Sequence, residues 1–161
     1  MKIGIVSDTH ARHATTGEAL ADLRRRGIST VLHCGDIDDP QTVELFRGFD
    51  AHFVFGNCDW ERAALREAMT AVGATLHEPF GNLELDGVKL AFVHGDDSDL
   101  RRDLERSGAF DFLFYGHTHL AEEHHTGPTR VINPGALHRA RPKTFAVLDL
   151  ATRAVESVVV A

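Results

Sequence analysis

The sequence predicts an α/β (α+β) protein in which two β-sheets face each other with helices on the outside. Three observations carry this prediction. Strand-like apolar runs alternate with helical patterns through the first half, which calls for parallel strands and crossover connections. The second half turns to short strands separated by tight turns. Five apolar runs also end abruptly in glycine, aspartate, asparagine or histidine, and a sheet gathers distant residues at its strand ends. A chain of 161 residues, 43% hydrophobic and 25% charged, is long enough to bury a core as a single domain over 1–161.

Ile3-Gly-Ile-Val is the first strand. Thr15 with Glu18 makes a capping box for a helix through Leu20 and Leu23, ended by Gly27. Thr30 to Cys34 is the second strand, and Asp39 with Pro40 opens a short helix ending near Gly48. Ala51 to Phe55 is the third strand; Asp59 caps a helix carrying Leu65, Met69 and Val72 that stops at Gly73. Asp86-Gly87, set between two apolar runs, signals a hairpin. Ser98 caps a helix through Leu100 and Leu104, stopped by Gly108 before the strand that ends in Gly116-His117. Leu120 to His125, Arg130 to Ile132, Thr144 to Leu150 and Ala154 to Val160 are short strands, and this half reads as antiparallel.

Composition excludes several functions. The net charge is −7 and no run of Lys or Arg is long enough to track a phosphate backbone, so nucleic-acid binding is not expected. Cys34 and Cys58 cannot form a disulfide framework, which fits a reduced, cytoplasmic setting. Neither a signal peptide nor an apolar run of about 20 residues is visible, so no membrane association is expected. Histidine is the unusual count, at 11.

Those histidines fall in an ordered set of motifs: Asp8-x-His10, Gly35-Asp36-x-x-Asp39, Gly56-Asn57-Cys58-Asp59, His94-Gly95 and Gly116-His117-x-His119. Each follows an apolar run. Residues two apart on extended chain point the same way, so His117 and His119 can serve one cluster. Imidazole, carboxylate and amide oxygen together suit borderline dications, with manganese first and iron, nickel, cobalt or zinc as alternatives.

With these motifs the sequence resembles the calcineurin-like metallophosphoesterases, and among them the small bacterial and archaeal phosphodiesterase-like members whose third motif reads Gly-Asn-Cys-Asp. The resemblance runs from Asp8 to Ile132-Asn133-Pro134-Gly135. It implies a four-layer α/β/β/α sandwich. It also implies two divalent metals, one held by Asp8, His10 and His119, the second by Asn57, His94 and His117, with Asp36 bridging. Two such ions can clamp the attacking and leaving oxygens of an in-line displacement, with the bridging hydroxide held by Asp36 attacking phosphorus. They outweigh Asp8, Asp36 and that hydroxide by one positive charge, so a phosphate ester is attracted to an acidic protein. Asn57, His94 and His117 would then surround the phosphate. His94 and His117 need partners to orient their rings, and Asp96 is a candidate for that task.

Cys58 stands where many relatives carry a histidine that stabilises the transition state or protonates the leaving oxygen. A thiol of ordinary pKa about 8.5 is a poor substitute. The implied preference is for diesters or good leaving groups, and His13 is a candidate replacement.

Other residues have plainer readings. Asp39 and Asp59 read as caps and structural acceptors, His33 as a packed histidine, Cys34 as a small buried residue. Arg12 reads as a solvated loop arginine with phosphate steering as the alternative. Asn133-Pro134-Gly135 reads as a turn first and a support beside the site second; His124-His125 read as exposed, and His52, His77 and His138 carry no role. The leading function is a metal-dependent phosphodiesterase, a hydrolase of a small or activated phosphate ester. A non-catalytic protein-interaction scaffold, such as a retromer subunit of similar fold, and a phosphomonoesterase are the alternatives. A homo-oligomer is left open.

Overall fold

The computed structural model describes residues 1–161. Strands β1 (Lys2–Val6), β2 (Thr30–His33), β3 (Asp50–Phe53) and β4 (Thr75–Leu76) are linked by helices α1 (His13–Arg25), α2 (Pro40–Glu44) and α3 (Arg62–Val72). A hairpin of β5 (Gly81–Leu85) and β6 (Val88–Phe92) leads through α4 (Ser98–Arg106) to β7 (Phe112–Phe114). Two further hairpins, β8 (Ala121–Thr126) with β9 (Thr129–Pro134) and β10 (Thr144–Asp149) with β11 (Val155–Val159), complete the chain. One sheet has the order β11-β10-β1-β2-β3-β4, the other β5-β6-β7-β9-β8.

The alternation of side chains sorts the core into three layers of packing. Val6, Val31, Ala51 and Phe53 face α1, α2 and α3 through Leu20, Leu23, Val43, Leu65 and Met69. Ile3, Ile5 and Leu32 pack between the sheets against Leu90, Phe92, Phe112 and Phe114. Ala91, Leu113 and Tyr115, one residue out of phase with those, meet Leu104 and Leu100 of α4. The result is helix, sheet, sheet, helix, the four-layer arrangement expected.

The structure corrects several boundaries and one topology. Thr15 lies inside α1, whose first bond runs from Thr16 N–H to the Arg12 carbonyl, and Arg12 at its N-cap makes no side-chain cap. The preceding loop is fixed instead by Asp8, His10 and Ala11 N–H groups on the carbonyls of Gly35, Asp36 and Ile37, so tertiary contacts override the capping signature. Asp97, not Ser98, caps α4 by accepting the Leu100 N–H at 3.0 Å. Asp39 does cap α2, through Thr42 N–H.

The second half is not simply antiparallel. β6, β7 and β9 run parallel, with α4 as the crossover between the first two. β10 leaves that sheet altogether and pairs antiparallel with β1, Ile3 opposite Leu148. Turn signals locate the hairpins, but nothing local in them says which strand a hairpin lies beside.

Candidate metal centre

β1, β2 and β3 run parallel, as do β6 and β7, and their carboxyl ends open on one site. The loops beyond them deliver Asp8 and His10, Asp36, Asn57, His94, and His117 with His119. Asp8, His10, Asp36, His117 and His119 all have φ between 43° and 70°. For residues other than glycine that left-handed conformation costs about 1 kcal/mol or more each, so the fold holds these five against a local penalty.

Two groups of side chains form around Asp36. Asp8 Oδ1 lies 3.2 Å from His119 Nε2 and 3.7 Å from His10 Nε2. On the other side Asn57 Oδ1 is 2.9 Å from His94 Nε2 and 3.2 Å from His117 Nδ1, and the two ring nitrogens are 3.3 Å apart. Asp36 Oδ2 sits between the groups, 3.3 Å from His10 Nε2 and 3.2 Å from His94 Nε2. Donor atoms about 2.1 Å from a single ion stand about 3.0 to 3.4 Å apart, so most of these separations are those of a first coordination sphere. The seven side chains expected as ligands thus lie around one site, where Asp8, His10 and His119 form one group that could hold an ion and Asp8, Asp36 and His94 another.

The surroundings fit a cation. Asp8 is fully buried, and its Oδ1 has no hydrogen-bond partner, while Oδ2 accepts the His117 N–H at 3.1 Å. A buried carboxylate oxygen left bare is costly unless a positive charge meets it. His94 Nδ1 donates to the Cys34 carbonyl at 2.8 Å, which turns Nε2 toward Asn57 and Asp36. His10 Nδ1 is likewise held by Asp38 Oδ2 at 3.1 Å, leaving Nε2 toward Asp8 and Asp36. Asp96 is exposed, and the backbone carbonyl of Cys34 takes the part expected of it for His94.

Charge states follow the same geometry. Burial works against ionisation of Asp36, but His94 and the Cys58 N–H outweigh it and draw its pKa down to about 2. Burial likewise opposes the His94 cation, and Asp36 with Asp8 carries that ring up to about 9. Asp8 is held below and His10 above their ordinary values, again against burial, chiefly by each other.

Three buried polar residues brace the loops. Asp59 accepts N–H groups from Gly56, Asp36, Ile37 and Asp38 at 2.7 to 3.0 Å; it is a structural acceptor, and α3 begins beyond it at Arg62 with no side-chain cap. His33 Nδ1 accepts the Gly35 N–H at 3.0 Å and Nε2 bonds Thr9 Oγ1 at 3.0 Å, tying the first two loops together. Asn133 Nδ2 donates to the Gly116 carbonyl and Thr118 Oγ1, both at 3.0 Å, beneath the His117 loop. Close approach explains two glycines. A Cβ on Gly56 would stand 2.2 Å from Asp36 Oδ1, and one on Gly116 would stand 2.0 Å from Ser7 Oγ.

Cys58 donates its N–H to Asp36 Oδ1 at 2.8 Å, and burial, then Asp36, pushes its thiol up to about 11. His13 is engaged by Asp39 at 2.9 Å on the exposed start of α1, so it is not brought to the place of the missing histidine. Cys34 is buried in the core. Asp38 and His138 were not legible. Asp38 lies inside the Asp36 motif without any periodicity to aim it. His138 is distant in sequence, yet its ring lies 4.9 Å from that of His10.

A model of the calcineurin-like phosphoesterase superfamily domain matches residues 1–153. The chain belongs to that superfamily. A phosphodiesterase from Methanocaldococcus jannaschii is 32% identical over 138 residues, covering 84% of this chain and 83% of the relative. The solved structure of an archaeal phosphodiesterase superposes with TM-score 0.91 at 28% identity, over 99% of each chain. Vps29 from Entamoeba histolytica, solved with Zn2+, shares the fold at TM-score 0.72 and 20% identity over 100% of each chain. The phosphoesterase superfamily thus includes this chain, and no helix in it is long and apolar enough to cross a membrane.

Proposed function

We propose that this calcineurin-like protein is a dinuclear metal-dependent phosphodiesterase acting on a small or activated phosphate ester. The observation that carries the reading is Asp36 Oδ2, set 3.3 Å from His10 Nε2 and 3.2 Å from His94 Nε2, joining two ligand groups through one oxygen. Asp8, His10 and His119 would hold one ion, Asn57, His94 and His117 the other, with manganese as the first candidate. When bound, the pair supplies Lewis acidity, acidifying water and neutralising charge on phosphoryl oxygens. The chain's own residues position that chemistry. Asp8, Asp36 and His94 form the buried floor, whereas Asn57 and His117 stand exposed at the rim where an ester enters. Cys58 offers a neutral thiol of high pKa there, which favours esters whose leaving group departs without protonation.

The test is chelated protein reconstituted with single metals and offered chromogenic phosphodiesters and monoesters beside Asn57→Ala and His94→Ala. Diester hydrolysis that exceeds monoester hydrolysis and vanishes in both variants supports the reading. A second reading, a protein-interaction scaffold, draws on the shared fold with Vps29. Hydrolysis no faster than the variants with every metal would favour the scaffold. The presence of all seven ligand types in bonding range favours the enzyme.

A further inference from the structure

The loop between β9 and β10 carries His138, Arg139, Arg141 and Lys143, and these line a cleft of about 720 Å3 together with Arg12. The cleft contains no acidic side chain. It opens beside the first ligand group: the His138 ring is 4.9 Å from His10 and 6.2 Å from His119, and Arg12 Nε donates to His138 Nδ1 at 3.0 Å. Several arginines elsewhere are taken up by neighbouring acids, Arg25 and Arg26 by Asp22, Arg101 by Glu105 and Arg130 by Glu123. The four cations of the cleft form no ion pair, on a chain whose net charge is −7.

The loop that presents them is anchored. Ala136 and Leu137 are fully buried, Thr144 Oγ1 donates to the Pro134 carbonyl at 2.8 Å, and Thr144 N–H reaches the Ala136 carbonyl. Arg139 is held at φ 46°, a conformation disfavoured for any side chain. Four like charges gathered without counterions repel one another until an anion arrives. Arginine forks match phosphate oxygens in particular.

We propose that this cleft binds a second phosphate of the substrate, so that the substrate class is a small phosphodiester whose alcohol itself bears a phosphate monoester. The inference rests on the phosphodiesterase reading above. A backbone phosphate of a nucleic-acid strand offers the same anion, but the net charge of −7 and the absence of any longer basic track favour a small molecule.

The test compares thymidine 5′-(p-nitrophenyl phosphate) with and without a 3′-phosphate on the metal-reconstituted protein. Water adds its oxygen to phosphorus and gives up a proton to solvent, the P–O bond to the nitrophenyl group breaks, nitrophenolate leaves with the electron pair, and the thymidine phosphate remains. The 3′-phosphate is expected to raise kcat/KM at least about tenfold, an advantage that shrinks as salt is raised. In the Arg139→Gln/Arg141→Gln double variant the ratio should fall toward one, and Arg139→Lys/Arg141→Lys should retain part of it. A calorimetric arm uses metal-free protein, where thymidine 3′,5′-bisphosphate should bind at least about tenfold tighter than thymidine 5′-monophosphate. Hydrolysis of both esters with a wild-type ratio near one overturns the cleft inference and leaves the phosphodiesterase reading standing. Hydrolysis of neither ester with any metal overturns the phosphodiesterase reading, and equal affinity for the two nucleotides then overturns the cleft as well. Preferential cleavage of a short single-stranded oligonucleotide would overturn the small-molecule assignment in favour of nucleic acid.

Discussion

The Asp59 carboxylate accepts the backbone N–H of Asp36 at 3.0 Å, so an aspartate from the loop after β3 fixes the backbone of the aspartate after β2. The same group satisfies three further N–H donors, those of Gly56, Ile37 and Asp38. Removing it strands several buried donors, each worth about 1 to 3 kcal/mol when left unpaired. Asp59→Ala is therefore expected to lose about 3 kcal/mol or more in urea unfolding, while Asp59→Asn, which keeps one oxygen, loses less.

In the proposed centre His94 Nε2 would serve the ion shared with Asn57 and His117. His94→Ala should lower the metal content of reconstituted protein from about two ions to about one per chain, read by elemental analysis, and cut diester turnover at least about a thousandfold. Retention of both ions would remove His94 from the ligand set.

Gly116 leaves no room for a side chain, since a Cβ would lie 2.0 Å from Ser7 Oγ and 2.5 Å from Asp8 Oδ2. Gly116→Ala must push the His117 loop away from Asp8. The expected cost is about 1 to 3 kcal/mol in thermal unfolding, with weaker metal binding by calorimetry. Unchanged affinity would mean that the loop yields without moving its ligands.

Cys58 tests the leaving-group argument. Cys58→His supplies a proton donor with an ordinary pKa near 6.5, and kcat on a diester of a poor leaving group should rise by about tenfold or more, with little change on bis(p-nitrophenyl) phosphate. Equal changes on both substrates would show that protonation is not what position 58 limits.

His33 gives the metal-free protein a predictable response to acid. Burial dominates the attraction of Asp8 and holds its pKa down at about 3, against about 6.5 in an unfolded chain. Below about 6.5 the unfolded chain takes up a proton that the folded one refuses, so stability present above that pH declines as acid is added toward about 3. The slope is up to about 1.4 kcal/mol per pH unit. Between about pH 6.5 and 4.5 His33→Gln should show a shallower decline in chemical unfolding.

The candidate ligands were legible because each sits close after an apolar run, a pattern written in neighbouring letters. Asp39 and the Asp86-Gly87 turn were legible for the same reason. What stayed hidden depends on approach between segments. The capping box at Thr15 yielded to loop contacts with Gly35, Asp36 and Ile37. Asp59 was visible as an acceptor, but not that it would serve four donors from two loops. The left-handed backbone at Asp8, His10, Asp36, His117 and His119 has no sequence marker, because none of the five is glycine. His138 and the basic cleft arise only when the loop before β10 folds back beside His10.

That return has a consequence for how the molecule is made. β1, which launches Asp8 and His10, takes one neighbour from β10, with Lys2 opposite Asp149 and Ile5 opposite Ala146. During synthesis β1 emerges long before β10, so one flank of β1 waits bare until β10 is made. Such a distant pairing closes a large loop and slows assembly. The earliest residues of the centre are therefore among the last to be locked in place, and a nascent chain shortened before β10 would carry the ligands without the frame that aims them.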